Sequence, residues 1–384
     1  MTIISKRKIL IVCDASKTLL AFRGKLIERM QEKNQVYVFT PEISDDLTRD
    51  RLNHMGVIVK ENKLNSSNVS VFSDLKYIVS MYKVIKDIKP DIFFPYALKP
   101  VIYGTLLAKM CRVKLITPML TGLGYNFSDS EVGNEIVAKT TRLLLKFSLK
   151  SSPRLHVIFQ NKDDAQKLLD LHIISPNHNF FVVNGSGVDL SYYNYTEPNT
   201  DSVIFLMISR LINAKGINEY FEAAKIIKEK YPNTVFRIIG DYDKNIDSIS
   251  IDLYNKIQSG DIIEYLGHVK DVRPIISSSS VVVLPSYYRE GVPRALLESM
   301  AMGRAVITCD SAGCRETVNI KNGQPNGFLV PIKDHITLAS KMEYFILNRD
   351  KIINYGKAGL AYAKEKFDVN LINNDMLRIM KLEN

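Results

Sequence analysis

Two carboxylates, Glu290 and Glu298, stand eight positions apart in the stretch from Ser286 to Gly303, with Gly291, Val292, Pro293 and Arg294 between them. A loop carrying Gly291 can bring backbone N–H groups close to an anion, and the positive end of a helix that follows favours a phosphate. Carboxylates accept hydrogen bonds from sugar hydroxyls, so these residue types together suit a sugar nucleotide. Upstream, Arg210 and Lys215 add two cations five positions apart. A guanidinium grips a phosphate bidentately and an ammonium adds a mobile point charge. Taken singly, either spacing is also what ordinary surface charge produces.

The elements that must hold these groups are legible from hydrophobic pattern. Val281 to Pro285 reads as a short buried strand and Ala295 to Met302 as the helix after it, with Pro293 tolerated near a helix start. Glu290 then lies on the loop and Glu298 inside the helix. Phe205 to Ser209 gives a strand ending at Arg210, and Lys215-Gly216 precede an amphipathic helix over Ile217–Lys230. In the first half, strands at Lys8–Cys13, Gln35–Thr40, Val57–Val59, Asp91–Pro95, Lys114–Thr117 and Leu155–Phe159 alternate with helices at Lys25–Lys33, Asp74–Ile88 and Ile102–Met110. Alternation of this length implies α/β architecture with parallel sheets covered on both faces. A second set of elements begins at Ser202, and the polar segment Ser191–Thr200 reads as the linker between two sheets.

At 384 residues the chain exceeds the usual size of one core, and 46% hydrophobic with 24% charged residues is the composition of an ordinary globular protein. No apolar run approaches the roughly 20 residues that span a bilayer, and the first residues lead into a strand rather than into the core of a signal peptide. The expectation is a cytoplasmic protein. Cys13, Cys111, Cys309 and Cys314 lack metal-ligand spacing, so neither disulfide nor metal site is expected. The formal net charge of +10 is uneven: residues 1–185 hold 27 Lys and Arg against 17 Asp and Glu, whereas the remainder balances. That asymmetry points to an anionic partner for the first half, a nucleic acid or a membrane surface. Over Lys139–Lys150, helical spacing places Leu143, Leu144 and Phe147 on one side and Lys139, Arg142, Lys146 and Lys150 largely elsewhere. This suits either a helix lying on anionic lipid or an amphipathic helix facing its own core.

The run EGVPRALLESMAMGRAVI, with Glu290 and Glu298 as its Glu-x7-Glu, resembles the retaining glycosyltransferases of the large bacterial family that includes sucrose synthases and many envelope-sugar transferases. Arg210 and Lys215 before it, and Ile238-Ile239-Gly240 and Leu266-Gly267-His268-Val269 between, follow the order of that family. The resemblance implies a GT-B fold: two Rossmann-like domains (residues 1–190 and 201–365) facing across a cleft, with the chain's last segment, 366–384, crossing back to the first. It implies a UDP-sugar donor and catalysis without cofactor or metal. Arg210, Lys215 and Glu290 would be the catalytic residues, with the two cations on the departing diphosphate and Glu290 on hydroxyls of the transferred sugar. Glu298 would bind the ribose, Gly291, Val292, Pro293 and Arg294 would add contacts along the donor, and Gly267, His268 and Val269 would meet the base through backbone.

Tyr96 to Gly104 and the loop Thr121-Gly122-Leu123-Gly124-Tyr125 are similar to the branch that transfers N-acetylhexosamines to polyprenyl-diphosphate-linked acceptors, and Phe159 to Asp164 fits it too. Lys99 would contact a phosphate, and Gly122 and Gly124 would let backbone approach the acceptor, which is compatible with a tight turn at positive φ. The implied setting is polysaccharide, capsule or lipopolysaccharide biosynthesis, with the basic first half against the inner face of the cytoplasmic membrane and no nucleic acid bound. The first-guess donor is UDP-N-acetylgalactosamine. Two departures stand out: Asp14 to Gly24 replaces the paired glycines that many relatives carry after the first strand, and Thr121-Gly122 stands where they place a histidine. The rivals are a sugar-nucleotide epimerase or hydrolase of the same architecture and a binding protein that has lost its chemistry.

Overall fold

In a computed structural model of the chain, residues 6–62, 71–127, 135–242, 247–320 and 323–383 are described. Strands β1 (Lys8–Val12), β2 (Gln35–Pro41), β3 (Ile58–Asn62), β4 (Ile92–Pro95) and β5 (Leu115–Ile116) form one sheet in the order β3-β2-β1-β4-β5. Strands β6 (Met119–Leu120), β7 (Val157–Phe159) and β8 (Phe180–Val182) form a small sheet in chain order, joined to the first by bridges from Tyr96 to Met119 and from Ile116 to Leu155. The third sheet contains β9 (Ile204–Ile208), β10 (Val235–Ile239), β11 (Glu264–Tyr265), β12 (Val281–Leu284), β13 (Ala305–Cys309) and β14 (Gly327–Val330), ordered β11-β10-β9-β12-β13-β14. Neighbouring strands within the described sheets run parallel. Runs such as Val281–Leu284 and Ala305–Cys309 are buried at every position, because helices cover both faces of a parallel sheet.

The chain divides into two compact units. One holds the described residues as far as Ser186 together with those from Asn370 onward, and the other runs from Gly187 to Val369. Each unit has its own switch point, where the strand order reverses: between β1 and β4 in the first, and between β9 and β12 in the second. Open parallel sheets bind ligands just beyond the carboxyl ends of the strands at such a point.

The C-terminal segment joins the first unit for a physical reason. Ile372, Met376, Leu377 and Met380 are buried in the same core as Ile9, Ile11 and Leu26. Polar contacts tie it down: Arg29 donates to Glu383 at 2.8 Å, and His156 Nδ1 lies 2.9 Å from the carbonyl oxygen of Ile379.

Three sequence expectations are corrected here. Ser191–Thr200 is not a free linker but part of the second unit, because the buried guanidinium of Arg304 donates to the Thr196 carbonyl at 2.5 Å and to its hydroxyl at 2.6 Å. In the helix Glu135–Ser148, Leu143 and Phe147 are exposed and share a face with Lys139 and Lys146, while Leu145 is buried. The helix expected over Ile102–Met110 opens instead as a wide π-turn at Pro100–Gly104, where proline supplies no N–H, and continues over Thr105–Met110. Helices Asp46–His54 and Lys162–Asp170 are additional to the sequence reading; Asp45 and Asn161 cap them by accepting from Thr48 and Asp164 backbone N–H at 3.0 and 2.8 Å.

Candidate functional site

The switch point of the second unit gathers the residues that the sequence singled out for the donor. Arg210 follows β9 by two residues and Ser286 follows β12 by two, and these strands are adjacent, with Val281 paired to Phe205. The carboxyl edge thus brings together chain segments that lie far apart in sequence. The turn Asn213–Lys215 is fixed beneath them by Asp247, whose Oδ2 accepts from Ala214 N–H at 2.9 Å. The Ala214 carbonyl in turn accepts from the N–H groups of Tyr287 and Tyr288 at 2.9 and 3.0 Å. Gly216 closes this turn at φ 79°, and a Cβ there would fall 2.3 Å from the Pro285 carbonyl oxygen, so the two loops pack at a distance only glycine permits.

On this platform the Lys215 ammonium forms an ion pair with Glu290. Ser286 Oγ donates to the same carboxylate oxygen, Glu290 Oε1, at 3.1 Å. The Lys215 ammonium also sits 5.6 Å from the Tyr288 ring centroid, a cation–π distance. Arg210 differs: it is exposed, and among the described residues its guanidinium makes no ion pair. One cation is therefore held against a carboxylate and the other is free to meet an anion.

Arg294 and Glu298 form a second pair across the first turn of the helix Arg294–Ala301, with Nε and Nη2 at 3.0 and 2.7 Å from Glu298 Oε1. Burial and the adjacent Glu298 carboxylate push the Tyr193 hydroxyl well above its ordinary range. Pro293 is the residue before this helix, and the Gly291 carbonyl lies against Gly313. Val292 is buried in the core of the unit. The motif Gly267-His268-Val269 follows β11. The Gly267 carbonyl accepts from Gly240 N–H at 2.9 Å, His268 Nδ1 lies 3.2 Å from Asp241, and Val269 packs on the core.

The residues expected on the acceptor side lie in the first unit. Gly122 and Gly124 adopt φ of 116° and 61°, so the loop with Thr121, Leu123 and Tyr125 is the positive-φ turn that the sequence suggested. Arg142 Nε donates to the Asn126 carbonyl at 2.8 Å and ties the end of this loop to the helix Glu135–Ser148. Lys99 is not an unmatched cation: Asp74 holds its ammonium at 2.9 Å, and Tyr103 donates to the other oxygen of Asp74 at 2.9 Å. Gly24, the late glycine after β1, lies inside the helix Leu19–Lys33 and shapes no loop. Asp14 takes its place at the edge, with its carboxyl pushed up to about 6 by burial, partly offset by Lys99. Sequence reasoning passed over Tyr193, Asp247 and Ser286; the last was visible at the head of the Glu-x7-Glu motif, whereas the other two carry no local signal.

A doubly wound α/β unit repeated in one chain, with cations and carboxylates at a switch point, is the architecture of GT-B glycosyltransferases, and the chain is an enzyme of that class. It belongs to the glycosyl transferase group 1 family: residues 194–360 match Glycosyl transferases group 1, and residues 8–161 match Glycosyl transferase 4-like. It is 26% identical over 379 residues, 95% of this chain and 96% of the other, to the N,N'-diacetylbacillosaminyl-diphospho-undecaprenol alpha-1,3-N-acetylgalactosaminyltransferase of Campylobacter jejuni. It is 28% identical over 280 residues, 70% of this chain and 69% of the other, to the UDP-Gal:alpha-D-GlcNAc-diphosphoundecaprenol alpha-1,3-galactosyltransferase of Escherichia coli. Among solved structures, the sucrose-phosphate synthase of Thermosynechococcus elongatus superposes with a TM-score of 0.79 at 17% identity, covering 98% of each chain.

Proposed function

We propose that this glycosyltransferase moves a sugar, N-acetylgalactosamine in the first instance, from its UDP-linked form to a saccharide carried on polyprenyl diphosphate, with retention of anomeric configuration. The observation that carries the reading is the switch point of the second unit, where Arg210, which makes no ion pair among the described residues, shares the carboxyl edge with a Lys215–Glu290 pair. The activities of the two enzymes compared above, one an N-acetylgalactosaminyltransferase and one a UDP-galactose enzyme, both on diphospho-undecaprenol acceptors, support the donor and acceptor classes.

In this reading Arg210 grips the departing diphosphate, and Lys215 leaves Glu290 in part as charge builds on the leaving oxygens. Both act through positioning and electrostatics, and no metal is needed. Glu290, oriented by Ser286, accepts from hydroxyls of the transferred sugar, and Glu298, fixed by Arg294, accepts from the ribose. The acceptor hydroxyl attacks from the face the diphosphate leaves, and the leaving group takes its proton. The excess of basic residues in the first 185 positions supports a peripheral seat on the anionic inner face of the cytoplasmic membrane. No helix among the described residues is long and apolar enough to cross a membrane.

The test is nucleoside diphosphate release from a panel of UDP-, GDP- and TDP-sugars, with and without a polyprenyl-diphosphate monosaccharide. Acceptor-dependent release from one UDP-sugar, undiminished by EDTA and yielding an α-linked product, is the expected result. Release that ignores the acceptor would make the protein a hydrolase, and an inverted product would overturn retention.

A further inference from the structure

The helix Glu135–Ser148 turns an unusual face to solvent. At about 100° per residue, Ile136, Lys139, Leu143, Lys146 and Phe147 fall within one arc about 100° wide. Ile136 is 74% exposed, Leu143 54% and Phe147 60%, so three large apolar side chains stand in water among lysines. A solvent-facing helix surface is ordinarily polar, whereas this mixture is that of a helix resting at a lipid interface.

Beside this face runs a groove of about 1000 Å³ with Leu143 and Phe147 on one wall and Leu169, Ile173, Ile174 and Pro176 on the other. Its two walls are bound to each other. His178 Nδ1 accepts from Ser175 N–H at 2.9 Å, while Nε2 lies 3.0 Å from the Leu149 carbonyl at the end of the helix. The groove is therefore built into the fold.

Its rim is positive. Lys146 and Lys150 both line it, and neither makes an ion pair among the described residues, in contrast to Lys139, which Glu135 meets at 2.8 Å. Lys109 reaches the same end of the helix and donates to the Ser148 and Lys150 carbonyls, each at 2.7 Å. Burial, followed by the nearby charges of Lys150 and Arg154, brings the Lys109 ammonium down to about 8. Asp170, the one carboxylate on the lining, is engaged by Gln166 at 2.7 Å.

We propose that this groove takes one acyl chain of an anionic membrane phospholipid, with Lys146 and Lys150 at the headgroup phosphate and Ile136, Leu143 and Phe147 inserted around it. An apolar trough calls for a hydrocarbon chain, and unmatched lysines at its mouth call for an anion; a phosphate-headed lipid supplies both in one molecule. The proposal extends the peripheral membrane association proposed above from overall charge to a particular site.

The chain contains no tryptophan, so Phe147→Trp in the full-length protein gives a single reporter at the groove. With vesicles of phosphatidylcholine and phosphatidylglycerol, its emission should shift to the blue and be quenched by lipids brominated in mid-chain. Phe147→Glu, exposed and so harmless to folding, should lower the vesicle partition coefficient at least tenfold. Lys146→Gln with Lys150→Gln should lower it roughly thirtyfold, about fivefold for each lysine near an anionic surface. Absence of quenching, equal binding to pure phosphatidylcholine, or unchanged partition of Phe147→Glu would overturn the proposal. So would a self-associating chain whose dimer is lost in Phe147→Glu, which would mark the face as a protein contact. Transfer to a water-soluble, short-chain acceptor, measured in parallel on the unaltered chain, separates the two readings. Its failure strikes the proposed function and leaves vesicle binding standing, while failure of quenching strikes only the groove.

Discussion

The Lys215 ammonium and the Glu290 carboxylate meet as an ion pair at the carboxyl edge of the second sheet, and Ser286 Oγ donates to the same oxygen. Both side chains are mostly buried, at 12% and 14% exposure, so each is the other's main counterion until a ligand arrives. In the proposed function, a charged donor entering this edge divides the pair, offering phosphate to the lysine and hydroxyls to the carboxylate.

That exchange makes the two residues one functional unit. We expect Lys215→Met and Glu290→Gln each to lower kcat about 10²–10³-fold, the range for losing one preorganised electrostatic partner. The double variant should fall little below the worse single variant, because groups acting together are non-additive. A double loss equal to the product of the single losses would show that the residues act independently.

Arg210 is the complementary case. Exposed and without an ion-pair partner among the described residues, it holds nothing in the fold together. Arg210→Ala should change folding stability by no more than about 0.5 kcal/mol in denaturant titration. Turnover should drop about 10²-fold or more, with Arg210→Lys recovering part of it. Full turnover in Arg210→Ala would remove the residue from the diphosphate site.

The same contrast separates what the sequence discloses from what it conceals. Arg210, Lys215, Glu290 and Glu298 were legible because each sits within a few residues of a strand end or helix start, and local pattern marks both. Asp247 and Tyr193 were not, since what makes them matter is distance in space: Asp247 reaches back to Ala214, and Tyr193 lies against Glu298 from a segment that reads as linker. The lipid-facing helix was half legible. Periodicity identified its amphipathic character, but only tertiary packing reveals that Leu145 faces the core while Leu143 and Phe147 face solvent. Lys99 reads from the sequence as a phosphate contact, and only the fold shows that Asp74, in the helix Val71–Ile88, pairs with its ammonium.

Arg304 explains why the apparent linker is ordered, and it yields a stability prediction. Fully buried, it donates to Ile276, Ser277, Met302 and Thr196 carbonyls at 2.8, 2.7, 2.6 and 2.5 Å. Burial lowers its guanidinium to about 10, still charged at neutral pH, so the site depends on every carbonyl it reaches. Arg304→Leu would take their donor from the Thr196 and Ser277 carbonyl oxygens, and one of two donors from those of Ile276 and Met302, which also accept from the Ser279 and Thr196 N–H groups. We expect a loss of about 3–5 kcal/mol in chemical denaturation, with limited proteolysis shifting to the 191–200 segment. Cleavage there in the unaltered chain at the same rate would mean that Arg304 does not anchor it.

Asp14 provides the pH-dependent prediction, from the first unit. It follows β1 at the switch point with β4, where burial raises its carboxyl from 3.8 to about 6 and Lys99 opposes the rise. Between those values the folded chain keeps a proton that the unfolded chain has released. Stability contributed by this group is therefore greatest below about pH 4, declines as pH rises through the window, and is lowest above pH 6. Charge on Asp14 also bears on Tyr77 and Tyr96, buried hydroxyls that already stand well above their ordinary range, chiefly through burial. Asp14→Asn removes the ionisation while keeping the shape. We expect the variant to exceed the unaltered chain by of order 2 kcal/mol at pH 7.5, the two curves converging near pH 4. Thermal or urea unfolding across that range measures it. A difference that stays constant with pH would assign the effect to packing, and a variant less stable at pH 7.5 would mean that the carboxylate is held by groups that favour its charge.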